Sequence, residues 1–134
     1  MIYGIGTDLC EVARIRASVA RFGERFAQRI LMPAELAQFP RARDPIRFLA
    51  MRFAAKEAIV KAMGTGFRQG VWLRDVGMVQ EASGRPVPIF SPRIRAWLDE
   101  RGAGDGHVTL SDEAGMVVAV AVLLLRPPSG APAR

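Results

Sequence analysis

A chain of 134 residues, 50% hydrophobic and 24% charged, has the size and composition of one globular domain with a core of its own, and is too short for two. Its single cysteine, Cys10, excludes an internal disulfide and agrees with a reducing compartment. A formal net charge of +6 favours a polyanionic partner (nucleic acid, a phosphorylated small molecule, an acidic protein or an anionic membrane) without choosing among them.

In chain order, residues 2–9, IYGIGTDL, read as a first strand whose two glycines thin one face and whose end carries Asp8. Val12, Ile15, Val19 and Phe22 then recur at helical spacing over Glu11–Phe22. Arg14, Ser18 and Arg21 form another stripe, which Arg25 extends if the helix survives Gly23. Pro33 suits the first position of a short helix, PAELAQF, and Pro40 to Pro45 reads as loop. The longest helix is expected over IRFLAMRFAAKEAIVKAM, ended by Gly64 in the capping position and followed by a glycine-rich loop to Gly70. LRDVGMVQE and PVPIF read as strands joined by a turn with a basic tip, Ala82 to Pro86. Pro92 to Arg101 is a helix with Ile94, Trp97 and Leu98 inward. HVTLS, opening at His107, and the apolar run Met116 to Leu125 pair across DEAG as a final hairpin.

That apolar run is too short to cross a bilayer as a helix. The first residues lack the basic-then-apolar pattern of a secretory signal, so a soluble, cytoplasmic protein is expected. The mixture of hairpins and helices points to an α+β fold, an antiparallel sheet packed against a long helix. One domain is expected over residues 1–126, with a disordered tail over 127–134.

Two carboxylates stand apart from the solvated rest. Asp8 sits where a strand hands over to a helix, a position that faces clefts. Glu57 has alanines at 54, 55 and 58 around it and shares a helix face with Phe53, Val60 and Lys61. A carboxylate on an apolar face needs a partner: Lys61 one turn on, or a metal. Two carboxylates without a Cys/His cluster suit Mg²⁺ rather than zinc. The nearby GTG loop and two lysines offer backbone N–H groups and ammonium donors to phosphates. Of 19 lysines and arginines only Lys56 and Lys61 are lysine, and a compact ammonium does different work from a planar fork. His107, the only histidine, is read as structural or catalytic. GIG at 4–6 is no dinucleotide fingerprint, because Leu9 stands where its third glycine belongs.

Three blocks, GIGTDLCEVARI, RFAAKEAIVKAMGTG and HVTLSDEAGMVVAVAVL, resemble in order and spacing the signatures of the bacterial holo-[acyl-carrier-protein] synthases, small 4′-phosphopantetheinyl transferases. The resemblance covers roughly residues 1–125. It implies transfer of phosphopantetheine from coenzyme A to a serine of an apo acyl carrier protein, with release of adenosine 3′,5′-bisphosphate. On matching positions it implies Asp8 and Glu57 as Mg²⁺ ligands and Lys61 at the leaving phosphate. Lys56 would anchor phosphate oxygens or a neighbouring carboxylate. Glu57, through a water, and His107 are alternative acceptors of the serine proton. Arg52, Gly64, Thr65 and Gly66, with Ser83, Gly84, Arg85 and Pro86, would hold the nucleotide end of coenzyme A. Arg14, Arg21 and Arg25 would dock the carrier, an acidic helical bundle. The family's assembly implies a homotrimer with active sites at subunit boundaries, and no nucleic-acid or membrane partner. Many relatives carry a second histidine where this chain has Asp112, which leaves His107 alone. Two other classes compete on the same residues. A Mg²⁺-dependent nucleotide phosphohydrolase would need no docking helix. A non-catalytic binder of a polyanion would be indifferent to Asp8 and Glu57.

Overall fold

The computed structural model describes residues 1–127; the expected tail falls, from residue 128, outside the described residues. In chain order it contains β1 (Ile2–Glu11), α1 (Val12–Phe22), α2 (Glu24–Ile30), α3 (Pro33–Gln38), a 3₁₀ turn (Phe39–Arg41), α4 (Pro45–Met63), a second 3₁₀ turn (Leu73–Asp75), β2 (Val76–Gln80), β3 (Pro86–Phe90), α5 (Pro92–Glu100), β4 (Ala103–Glu113) and β5 (Met116–Leu125). The strands form two antiparallel sheets rather than the single one expected: β1-β5-β4, and the hairpin β2-β3. Among the described residues no helix is long and apolar enough to cross a membrane.

Helix α4 is the centre of the domain. Asp44 caps its start by accepting from the Arg47 N–H at 3.1 Å, Pro45 occupies the first turn, and Gly64 ends it in the left-handed region at φ 82°. It is apolar nearly all round because it is covered on two sides. Leu49, Ala54, Ala58 and Ile59 belong to one core with Cys10, Val117, Ala119 and Leu123 of the larger sheet. Ala55 packs in a second cluster with Met78 of β2 and Val108 of β4.

The alternation of β1 places Gly4, Gly6, Asp8 and Cys10 on the face toward α4. A Cβ at Gly4 would lie 1.9 Å from the Ala62 carbonyl oxygen, and one at Gly6 2.1 Å from that of Ala58. The glycines therefore let strand and helix backbones touch, and that contact brings Asp8 beside the helix face carrying Glu57 and Lys61. Gly6→Ala is expected to cost about 2–3 kcal/mol through overpacking against a backbone that cannot yield. Urea unfolding reads this directly; an unchanged midpoint would mean that α4 does not rest on β1.

Four boundaries differ from the sequence expectation. Strand β1 continues to Glu11, so Asp8 lies within the strand and not at its end. Gly23, at φ 63°, separates α1 from α2, so Arg25 starts a second helix instead of extending the stripe of the first. Residues 73–75 form a 3₁₀ turn because the Asp75 carboxylate folds back to accept the Trp72 N–H at 2.9 Å. Strand β4 begins at Ala103, so His107 lies within the strand, not at its opening. The β4–β5 turn needs two left-handed residues, Ala114 at φ 53° and Gly115 at φ 76°, as tight hairpins do.

Candidate active site

Asp8, Glu57 and Lys61 converge where β1 crosses α4. The Lys61 Nζ donates to the Thr7 carbonyl at 2.9 Å and stands 3.4 Å from Asp8 Oδ1. Burial pushes the Glu57 carboxyl above its usual range, and the neighbouring Asp8 charge pushes it further, against the opposing pull of Lys61 and Arg14. Two carboxylates held close enough to repel one another are what a divalent cation relieves. No cluster of three or more His, Cys, Asp or Glu side chains suited to a metal exists among the described residues. A hard cation here would complete its shell with water and substrate oxygens, the habit of Mg²⁺; the donor set fits that ion.

Of the two roles expected for Lys56, the structure supports the anchoring of a neighbouring carboxylate and not that of phosphate oxygens. Lys56 is wholly buried, and its ammonium is bonded to Glu35 of α3 and to the Val76 carbonyl at 2.7 Å. It faces the protein interior, where burial pushes its ammonium down and Glu35 opposes the shift. The carboxylate it anchors is Glu35, and it offers nothing to a phosphate. The GTG loop is a correction. The N–H groups of Thr65 and Gly66 bond to the Val60 carbonyl at 3.2 and 3.1 Å, and that of Gly64 to Lys61 at 3.0 Å. They close the C-terminal end of α4, whose orphan carbonyls claim them, and so are not free to cradle an anion.

Arg52, Gly84 and Pro86 come together in a cleft of about 470 Å³, whose wall also carries Arg41, Arg43 and Arg47. The Arg52 guanidinium lies 4.0 Å from the Phe48 ring centroid and donates to Gln38 Oε1 at 3.1 Å. Burial pushes its pKa down to about 10 against the pull of Glu35, and its Nε is buried without a hydrogen-bond partner among the described residues. Ser83 Oγ accepts from the Arg85 N–H at 3.3 Å, shaping the turn that carries Gly84. Arg41, Arg43 and Arg47 were read from sequence only as loop or helix start; the signal was the arginine-rich run PRARDPIR. Arg47 is pinned by Asp112, with Nε–Oδ2 2.7 Å and Nη2–Oδ1 2.8 Å. That fork holds the Asp112 carboxyl below its usual range. Glu35, which organises the interior side of α4, carried no sequence signal of its own.

Within one chain the cleft and the carboxylates are separate. Residues 52 and 57 are about 140° apart around the helix at 100° per residue. His107 is separate again. In register, Asp8 stands beside Ala119 while His107 stands beside Val122, an odd offset that puts the two side chains on opposite faces of the sheet. His107 is exposed, with Nδ1 3.1 Å from Nη2 of Arg85. The arginines expected to dock a partner lie on two helices: Arg14 and Arg21 on α1, and Arg25 on α2.

Residues 4–120 match the family model of the 4′-phosphopantetheinyl transferase superfamily. A holo-[acyl-carrier-protein] synthase of Thiobacillus denitrificans is 51% identical over 123 residues, 92% of this chain and 94% of that one. The crystal structure of the holo-[acyl-carrier-protein] synthase of Neisseria meningitidis superposes with a TM-score of 0.88 at 45% identity, covering 92% of this chain and 99% of the other. That of Helicobacter pylori, in complex with coenzyme A, superposes with a TM-score of 0.78 at 28% identity, covering 90% and 99%. With its carboxylate pair seated at the strand–helix crossing and its likeness running over nearly the whole chain, this protein belongs to the holo-[acyl-carrier-protein] synthase family of 4′-phosphopantetheinyl transferases.

Proposed function

We propose that this enzyme transfers 4′-phosphopantetheine from coenzyme A to a serine hydroxyl of an apo acyl carrier protein, using Mg²⁺ and releasing adenosine 3′,5′-bisphosphate. The observation that carries the reading is the convergence of Asp8, Glu57 and Lys61. Mg²⁺ held by Asp8 and Glu57 would neutralise charge on the pyrophosphate oxygens. Lys61, oriented by the Thr7 carbonyl, would present its ammonium to the leaving phosphate. Glu57, acting through a water, and His107 are the two candidate acceptors of the serine proton. The arginine-lined cleft at Arg52, Gly84 and Pro86 suits the nucleotide end of coenzyme A, and Arg14, Arg21 and Arg25 suit an acidic carrier.

The enzyme acts as a homotrimer in this reading. Ile5 and Leu9 of β1 and Val118 of β5 are exposed and lie on the sheet face turned away from α4, an apolar surface for burial against other copies. The separation of cleft and carboxylates within one chain supports active sites shared between subunits, which would also let His107 meet a neighbour's carboxylates.

Intact-mass spectrometry of an apo carrier incubated with the protein, coenzyme A and Mg²⁺ tests the reading. The expected result is a gain of one phosphopantetheine, abolished by EDTA. Coenzyme A consumed with no gain on any of several carriers would replace the transferase by a phosphohydrolase. Intact coenzyme A and no gain would leave a binder of polyanions.

A further inference from the structure

Large exposed hydrophobic residues fall into two sets among the described residues. Met1, Ile2, Ile5, Leu9 and Val118 lie on β1, on β5 or at the chain start; the remaining two are Phe22, 42% exposed, and Trp72, 71% exposed. Both of these are aromatic, and both sit among arginines.

Phe22 closes α1. The guanidinium of Arg21 lies 5.1 Å from its ring centroid and that of Arg29, on α2, 5.9 Å, so the ring joins the basic residues of the two helices. Arg29 in turn lines a hollow of about 380 Å³ with Trp72, Arg74, Asp75 and Arg93. Asp75 is the frame of this hollow. It accepts from the Trp72 N–H at 2.9 Å and from Ser91 Oγ at 2.8 Å, and it pairs with Arg93. Arg29 and Arg74 have no carboxylate partner among the described residues. On the other side of Trp72 lies an apolar hollow of about 410 Å³ that includes Phe67 and Val71. An exposed indole on a fixed backbone, between free guanidinium groups and an apolar recess, has the composition of an interface hot spot.

Size points the same way. An 11-residue helix is roughly 16 Å long and presents an outline of roughly 160 Å², whereas a specific protein interface covers about 800 Å² on each partner. Arg14 and Arg21 on α1 are a small part of such a face. We propose that the docking surface for the acidic carrier protein continues from α1 across Phe22 and Arg29 to Trp72 and Arg74, with Trp72 as its apolar anchor. This rests on the reading of the protein as a carrier-modifying transferase. Basic side chains alone would equally suit an anionic membrane. The recessed hollow and the exposed Trp72, its backbone held by Asp75, favour a folded acidic surface with one protruding apolar side chain.

Trp97→Phe leaves Trp72 as the sole tryptophan. In that background, a tryptophan-free apo carrier is expected to shift the Trp72 emission saturably, and less so at high salt. In the parent enzyme, Trp72→Ala is expected to raise KM for the carrier about tenfold, leaving kcat and KM for coenzyme A within about twofold; Arg74→Glu should do likewise and flatten the salt dependence. Trp72 is exposed, so neither change threatens the fold. Unchanged emission and unchanged carrier KM in both variants would overturn the extended surface. If Arg14→Glu with Arg21→Glu nevertheless raises KM, only the extension falls. If that pair is silent while Trp72→Ala is not, the extension stands and the α1 assignment falls. An emission shift with phosphatidylglycerol vesicles and none with carrier would replace the partner by a membrane.

Discussion

Glu57→Gln will lower the rate of phosphopantetheine transfer by on the order of a thousandfold at saturating coenzyme A and Mg²⁺. The amide keeps the size and helix propensity of glutamate but removes one of two carboxylates at the strand–helix crossing. The same substitution will not destabilise the metal-free protein near neutral pH. The Glu57 carboxyl is raised by burial and then by Asp8, so its ionised form is less favourable folded than unfolded. That cost is absent below the unfolded-state pKa and fully present above the folded one, where a neutral amide avoids it. The expected signature is therefore a split: activity lost, and the metal-free melting temperature equal to or above that of the parent at pH 7. Transfer within about tenfold of the parent would show that the carboxylate pair is not the centre of the chemistry.

Glu35→Ala will be the most destabilising of the charge deletions. Glu35 is wholly buried and accepts from the Met32 N–H at 2.9 Å, the Met78 N–H at 3.2 Å and the Lys56 ammonium, with Arg52 Nε 3.8 Å away. It ties α3, α4 and β2 together. A Cβ at Gly77 would lie 2.5 Å from its Oε1, so the strand comes close only because that residue is glycine. Removing the carboxylate strands Lys56 in the interior, an uncompensated buried charge costing roughly 3–5 kcal/mol, or about 10 °C or more in melting temperature for a chain of this size. Glu35→Leu combined with Lys56→Met should recover only part of that loss: well-packed apolar groups replace a buried ion pair at little cost, but the Met32 and Met78 N–H groups lose their acceptor. Thermal unfolding of the three variants checks this; a double variant no more stable than Glu35→Ala would show that the pair contributes more than its mutual neutralisation. The two lysines thus do different work: Lys56 inside the protein, Lys61 beside the carboxylates.

Much of this molecule was legible in local chemistry. Gly64 ends α4 where expected, and its start at Pro45 falls within a residue of the expected span, because capping and left-handed conformations depend on nearest neighbours. Ala114 and Gly115 mark the last hairpin for the same reason. Glu57 and Lys61 share a helix face by periodicity alone; Asp8 was singled out as a strand end, although β1 continues past it to Glu11. The three blocks were enough to indicate the family.

Tertiary structure decided what depends on the partner across space. Lys56 has the residue type of a phosphate ligand, and its burial came from Glu35, 21 positions away, which no local rule couples to it. The GTG loop has the composition of an anion cradle, yet its N–H groups face the carbonyl end of a helix, and direction is a property of the assembled backbone. His107 was expected to open its strand, but it lies within β4, and strand register turned it to the sheet face opposite Asp8. The arginines of PRARDPIR read only as loop and helix start until α4 and the β2–β3 turn folded them around one cleft. The sequence alone determined most of the elements, the family and the residues of the carboxylate pair, because those rest on short-range stereochemistry and residue type. Which charges face a ligand and which are neutralised inside was decided only by packing, because burial and hydrogen-bond direction exist once distant segments meet.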